Sequence, residues 1–407
     1  MFSKEAKART AEESRHRSVS AVLFLCLFAA QAGLIALTPV LPSVAADLGV
    51  STAAAGQLRT VSGLVAGLTA LIVVAVGRRL GLRGLLLTGT VLLALGSLVS
   101  TAAPSFAALA AAQVPIGVAV AILVTTGTTA AMEWSPRGHR ARVLSWALIG
   151  QGAAWIAGMP LVAALGEASW RYASLALPVA ASLLAALAVA RTPSSPRDSS
   201  PTSGLRTALA DRRVSGWAVG ELLATSGWLG TLVFAGALFT ESYGTSPTRT
   251  GVVLAGAGLA YVAGNLAFRR FVGTGPQHLV AGLPVALALA VLLFGVWRPG
   301  LPVSAILLAA AAFLAGGRTL LSSAVGLQTV PERRLALMSI RGAATQFGYL
   351  IGSSIAGIGL AASGYAGLGV AGAVLFLAAA VALAPSRSKA FRGRPAARFR
   401  PEPSPCS

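Results

Sequence analysis

The chain has 407 residues, of which 55% are hydrophobic and 11% charged, with a formal net charge of +20. A soluble domain carries about a quarter of its residues as charged side chains, so a water-soluble globule is excluded and a membrane protein is expected. The basic excess does not point to nucleic acid, because the charges fall in short clusters between apolar runs, with no aromatic interleaving or binding module.

Residues 1–18 form a polar tail of mixed charge that lacks a small-residue cleavage site, so the first apolar run should be retained as a span. A crossing helix needs about 20 mostly apolar residues. The first half offers spans at 19–41, 56–76, 84–103, 106–130, 143–165 and 172–190. Arg59 stands at the start of the second, where it can face a vestibule or snorkel to solvent. Gln113 lies in the fourth. The fifth carries Gly150, Gly152, Gly158 and Pro160; the glycines permit close or sliding helix contacts and the proline can bend the helix. Residues 191–213, rich in Pro, Ser and Arg, read as a linker between two halves.

The second half offers spans at 214–240, 250–268, 278–297, 301–325, 342–363 and 366–385. Glu221 is an acid within the seventh span. It is a candidate for carrying a coupled proton or meeting a cationic substrate, and the competing reading is an ion pair or a contact with headgroup water. Arg318 lies near the middle of the tenth, after Gly316 and Gly317. It cannot lose its charge and must find an acid, a carbonyl or water, so it can bind an anionic group, hold a gate or clamp helices together. Gln346 and Gly352 fall in the eleventh, a glycine-rich helix at the position matching the fifth. The segments DLGVSTAAAG (47–56) and SYGTSPTRTG (242–251) share Gly, Ser and Gly at one spacing before an even-numbered span, which suggests internal repetition.

Twelve spans in two six-helix bundles, 19–190 and 214–385, give an all-α membrane fold. With the N-terminus inside, 27 of the 32 Lys and Arg residues fall in cytoplasmic segments and 4 in outer ones. Basic residues favour cytoplasmic loops, so both termini are expected in the cytoplasm, including the basic tail 386–407, which can also touch anionic lipid. No metal-ligand spacing, P-loop or dinucleotide fingerprint occurs. No enzyme activity, cofactor or metal is expected, and Cys26 and Cys406 imply no disulfide framework.

The ordered short motifs resemble those of the major facilitator superfamily, in particular its bacterial drug and sugar efflux branch. GRRLGLRG (77–84) is similar to the loop motif between the second and third helices. Gly81 matches the motif glycine and Arg83 its later basic residue, while Arg78 stands where that family places an acid. Gly117 matches a glycine of the fourth helix, with Gln113 in place of the family's arginine. IAGMPLVAALG (156–166) resembles the Gly/Pro signature of the fifth helix in exporters, SWRYAS (169–174) the Trp-Arg segment that follows it, and GNLAFRR (264–270) the start of a second loop motif. The resemblance implies alternating access about a central cavity lined by the first, fourth, seventh and tenth helices. It implies export of a small amphipathic compound from a bacterial cell across its inner membrane, by a monomer, with protons as a candidate coupling ion. Uptake or facilitated transport of a sugar or metabolite, or a scaffold or sensor that does not transport, are the alternatives.

Overall fold

The computed structural model describes residues 2–135, 139–192, 210–272, 278–329 and 334–384. The expected tail 386–407 and most of the linker 191–213 lie outside the described residues. Every regular element among the described residues is helical. In the N-terminal part these are α1 (Phe2–Ile35), α2 (Leu41–Asp47), α3 (Thr52–Gly56), α4 (Leu58–Thr101), α5 (Phe106–Glu133), α6 (Arg140–Ala153), α7 (Met159–Ala168) and α8 (Trp170–Ala190). The C-terminal part holds α9 (Arg212–Tyr243), α10 (Pro247–Phe268), α11 (His278–Val296), α12 (Leu301–Thr329) and α13 (Arg334–Leu383).

Among the described residues, ten stretches are long and apolar enough to cross a membrane, which makes this an all-α, multi-pass membrane fold. They are not equally sheltered. In the apolar 18-residue window of Val214–Tyr243, 83% of residues are buried, and in that of Arg17–Asp47, 72%, against 28–56% for the others. Helices α1 and α9 therefore form the interior, and the remaining helices turn apolar faces outward, as lipid-facing helices do.

Two pairs of expected spans appear as continuous helical runs. In α4 the sole non-helical residue is Gly81, at φ 68° and ψ 166°. A straight helix of that length would reach about 66 Å, twice the hydrocarbon thickness. Instead Val73 and Leu85, on either side of the break, pack in one cluster with Ile122. From Leu58 on, the expected span 56–76 falls in the first arm of α4, and the side chains at 71 and 74–79 lie outside the described residues. In α13 the break falls at Ser363 and Gly364. Gly359 lies against Gly367 and Ala371, with a Cβ there 2.5 Å from the Gly367 carbonyl, so the chain has turned back on itself. Gly81 and Gly364 take positive φ with ψ of 166° and −151°, a region essentially confined to glycine that costs other residues about 1–3 kcal/mol.

The two similar segments adopt one turn. Gly49 and Gly244 sit at φ 65° and 61°. Two residues on, Ser51 and Ser246 accept hydrogen bonds from Ala54 N and Arg249 N and so cap the next helix. These turns mark one end of the bundle, called here the turn end. The opposite end carries Arg83, Arg140, Arg191, Arg269 and Arg270 and is called the basic end.

The fifth expected span is interrupted by a π-helical stretch, Ala154–Gly158, with Pro160 at the second position of α7. Proline has no N–H to return to the preceding turn, and a π turn is one way a helix absorbs that loss.

Candidate functional site

Two buried clusters that contain charged side chains stand out among the described residues. The first centres on Glu221, which is 1% exposed on α9. A nitrogen of the Arg318 guanidinium, on α12, lies 2.8 Å from Glu221 Oε2, and its second lies 3.5 Å from Oε1. Ser322, one turn along α12, donates to Oε2 at 2.6 Å. Arg341, near the start of α13, brings its Nε to 3.8 Å from Oε1. Trp217, one turn before Glu221, donates from its indole to the carbonyl and hydroxyl of Ser322 at 2.9 and 3.1 Å. The i, i+4 pairs 217/221 and 318/322 thus face each other across the α9–α12 contact. Arg318 can lie this deep because a Cβ on Gly316 would strike the Tyr261 carbonyl and one on Gly317 would strike the Phe268 ring, so α12 packs close on α10.

The second cluster lies between N-terminal and C-terminal helices. Arg59 on α4 is 5% exposed, and it does not snorkel to the surface. Both terminal nitrogens of its guanidinium are buried and have no hydrogen-bond partner among the described residues. Gly63, one turn further on, fixes which way this face of α4 looks: a Cβ there would lie 2.7 Å from Leu350 N, 3.0 Å from Tyr349 Cβ and 3.1 Å from the Gln346 carbonyl, all on α13. Tyr349 lies against the Gln31 side chain of α1 and close to Arg59. Gln31 Nε2 and Gln346 Oε1 are also buried without a partner. A small cavity beside Arg59 is lined by Leu37, Thr38, Leu41, Ala55, Leu58 and Val233. One helix, α13, serves both clusters, with Arg341 on Glu221 and Gln346 and Tyr349 beside α4.

The other predicted residues lie apart. Gln113 is buried among N-terminal helices, where it lines a small cavity with Gly33, Ser97, Ser100 and Ser174. Gly150 lets α6 touch the backbone of α1 at Phe24 and Phe28, and Gly158 packs on Leu177. Pro160 and Ala163 meet Gly251 of α10, and Gly352 meets Ser226 and Gly230 of α9. Gly81 makes the break in α4, and Arg83 donates to the carbonyl of Ala190 at the end of α8, at 2.5 Å. The Arg78 side chain lies outside the described residues.

Contacts between the N-terminal and C-terminal helices run down from the turn end. Gly236 lies against the Thr38 carbonyl and Gly56 against the Phe234 ring. The Thr52 hydroxyl bonds Glu241, which also accepts from Tyr365 at 2.8 Å. Thr248 N donates to Glu167 at 3.3 Å. Deeper, Gln57 donates to the Ser353 carbonyl at 3.1 Å, and the Thr60 hydroxyl lies 2.8 Å from that of Ser353.

Sequence reading singled out Glu221, Arg318, Arg59 and Gln346 but not Gln31, Tyr349, Ser322 or Trp217. Arg341 counted only as a basic loop residue. The 217/221 and 318/322 spacings were the available signals.

A family model described as Major Facilitator Superfamily matches residues 23–240, just over half of the chain. An uncharacterized MFS-type transporter of Bacillus subtilis (strain 168), YbcL, is 27% identical over 122 residues. That match spans 30% of this chain and 31% of the relative, less than a third of either. Among solved structures, an inward-facing, unoccupied bacterial homolog of the human lysosomal transporter Spinster superposes with a TM-score of 0.79 at 15% identity, over 91% of this chain and 96% of that one. A D-xylose-proton symporter gives 0.74 at 16%, over 90% and 97%. The human organic anion transporter MFSD10 gives 0.66 at 19%, over 90% and 99%. At these identities the likeness is one of fold.

Proposed function

Because the chain belongs to the Major Facilitator Superfamily, we propose that it is a secondary transporter that moves a small amphipathic molecule across a bacterial inner membrane by alternating access. The moving bodies are two six-helix bundles, 19–190 and 214–385, joined by the linker 191–213. They supply twelve spans: ten apolar stretches, the first arm of α4, and a division of Ile340–Leu383 at its break. Basic residues favour cytoplasmic loops, so the basic end and both termini face the cytoplasm and the turn end faces outward.

The observation that carries this reading is the interface between the two sets of helices. It is joined at the turn end by polar contacts that can break singly, Thr52 with Glu241 and Glu167 with Thr248. Below these, glycines 63 and 67 of α4 and 251 and 258 of α10 line the crossings on α13 and on the fifth span. Small residues let helices slide with little steric cost. Within the C-terminal bundle, the Glu221–Arg318–Arg341 cluster holds α9, α12 and α13 together on the cytoplasmic side. In our reading it is the inner coupling element, rearranging when the basic end opens or closes. The efflux-type motifs favour export, with proton antiport as its driving mode. Facilitated exchange is the second reading, favoured by Gln113 standing where proton-coupled members of the family carry an arginine.

Direction-resolved flux in proteoliposomes with an imposed pH gradient tests this. Outward pumping that needs the gradient is the expected result. Equilibration without a gradient would replace antiport by facilitation, and no flux across a broad substrate panel would sink the transport reading.

A further inference from the structure

Arg59 poses a problem of charge balance. Its guanidinium cannot deprotonate to escape burial, and a buried charge without a partner costs several kcal/mol. Four acids of the described helices have partners elsewhere. Asp47 pairs with Arg171 at 3.1 Å, Glu221 with Arg318 at 2.8 Å, Glu241 bonds Thr52 and Tyr365, and Glu167 accepts from Thr248. Neither terminal nitrogen of Arg59 meets a carbonyl or hydroxyl among the described residues. The same region holds a second unused donor, Gln31 Nε2, and an unused amide end on Gln346, which presents its NH2 instead on a flip. Tyr349 adds a phenol. Around these polar groups, the adjoining cavity offers Leu37, Leu41, Leu58 and Val233.

We propose that Arg59 is the counter-charge for an anionic group on the transported molecule, so that the substrate class is small amphipathic organic anions. A planar guanidinium with two free nitrogens matches a carboxylate in bidentate fashion, and Gln31 adds a donor. The space beside Arg59 is no larger than a water, so the body of the molecule would lie against Leu37, Leu41, Leu58 and Val233 only as the two bundles part. The site is built from α1 and α4 on one side and α9 and α13 on the other, so an anion bound there bridges the two bundles. This rests on the transport reading above and narrows it to a charge class.

The test uses three compounds of nearly the same shape, 1-naphthoate, 1-naphthamide and 1-naphthylmethylammonium, with chloride as a fourth ligand. Thermal unfolding of the purified full-length protein in detergent is followed as each is titrated. The expected result is stabilisation by naphthoate and not by the amide or the ammonium, with at least ten-fold weaker apparent binding in Arg59→Lys and none in Arg59→Gln. Equal stabilisation by the amide, an unchanged response in Arg59→Gln, or no response to any of the three overturns the proposal. A chloride response equal to that of naphthoate also overturns it, since the site would then hold a structural anion rather than a substrate. If Arg59→Gln does not fold, the wild-type charge series and Arg59→Lys carry the test. Charge-selective binding with no flux in proteoliposomes would sink the transport reading and leave the anion site standing. Flux without charge preference would do the reverse.

Discussion

Glu221 is satisfied from several directions at once: two contacts from Arg318, a hydroxyl from Ser322 and the nearby Arg341. Such a pair is costly to break and cheap to replace, because its Coulomb energy largely offsets desolvation while a lone buried charge has no offset. Arg318→Ala should therefore destabilise the protein by about 3–5 kcal/mol. The double change Glu221→Leu with Arg318→Met should recover most of that loss. Unfolding in mixed micelles measures both, and a double variant no more stable than the single would show that the pair is not the source of the cost. If the cluster is the inner coupling element, the recovered double variant should fold yet lose flux. The two charges were legible in the sequence because an apolar span makes any charge conspicuous. Their pairing was not, since the partners stand 97 residues apart and no local rule links two helices at that separation. Arg341 was hidden by a sufficient alternative explanation, as basic loop residues orient membrane helices whether or not they do anything else. Gln31 and Tyr349 were missed for another reason: a neutral polar side chain in a span, unlike a charge, is not obliged to find a charged partner, and sequence alone did not separate these two from residues that only pack between helices.

Among elements, the fifth expected span shows how far composition reaches. It supplies glycines at 150, 152 and 158 and a proline at 160, and small residues at such positions imply close packing somewhere. The structure separates them. A Cβ at Gly150 would meet the backbone of Phe24 and Phe28, whereas one at Gly152 meets nothing within 4 Å. Two residues turn a helix by about 200°, so neighbouring glycines look in opposite directions, and a one-dimensional reading cannot assign the face without knowing the partner. Gly150→Val should force α6 away from α1 and cost about 1–3 kcal/mol, with reduced yield of folded protein. Gly152→Val should be close to neutral. Size-exclusion profiles and melting midpoints of the two variants decide this, and equal losses would mean that the contact of Gly150 with α1 does not set the cost, since valine is a better helix former than glycine at both sites. The repeated turn was more readable, because Gly at positive φ followed two residues later by a capping Ser is a local pattern with a local cause.

For the molecule as a whole, the sequence conveyed the membrane class and the even spacing of basic clusters, since both follow from the solvent on each side of each helix. It did not convey which helices are innermost. The hydropathies of the 18-residue windows in Arg17–Asp47 and Leu279–Val296, at 2.2 and 2.6, would rank the second as more interior, yet 72% of the first window is buried and 44% of the second. Lipid is as apolar as a protein core, so hydropathy cannot tell a lipid-facing helix from a central one. What places α1 and α9 at the centre is their packing, and alternating access acts on that packing. If the bundles rock about it, joining them at the turn end must stop transport, whereas joining two points of one bundle must not. Thr52 and Glu241 are hydrogen-bonded across the bundles, and Asp47 and Arg171 are paired within the N-terminal one. With Cys406 changed to Ser and the buried Cys26 retained, Thr52→Cys/Glu241→Cys treated with a short bifunctional methanethiosulfonate should lose flux and regain it on reduction. Asp47→Cys/Arg171→Cys treated in the same way should keep most of its flux. Unimpaired flux in the first pair, with cross-linking verified by mass, would mean that the turn end need not open and that substrate follows a path other than the interface between the bundles.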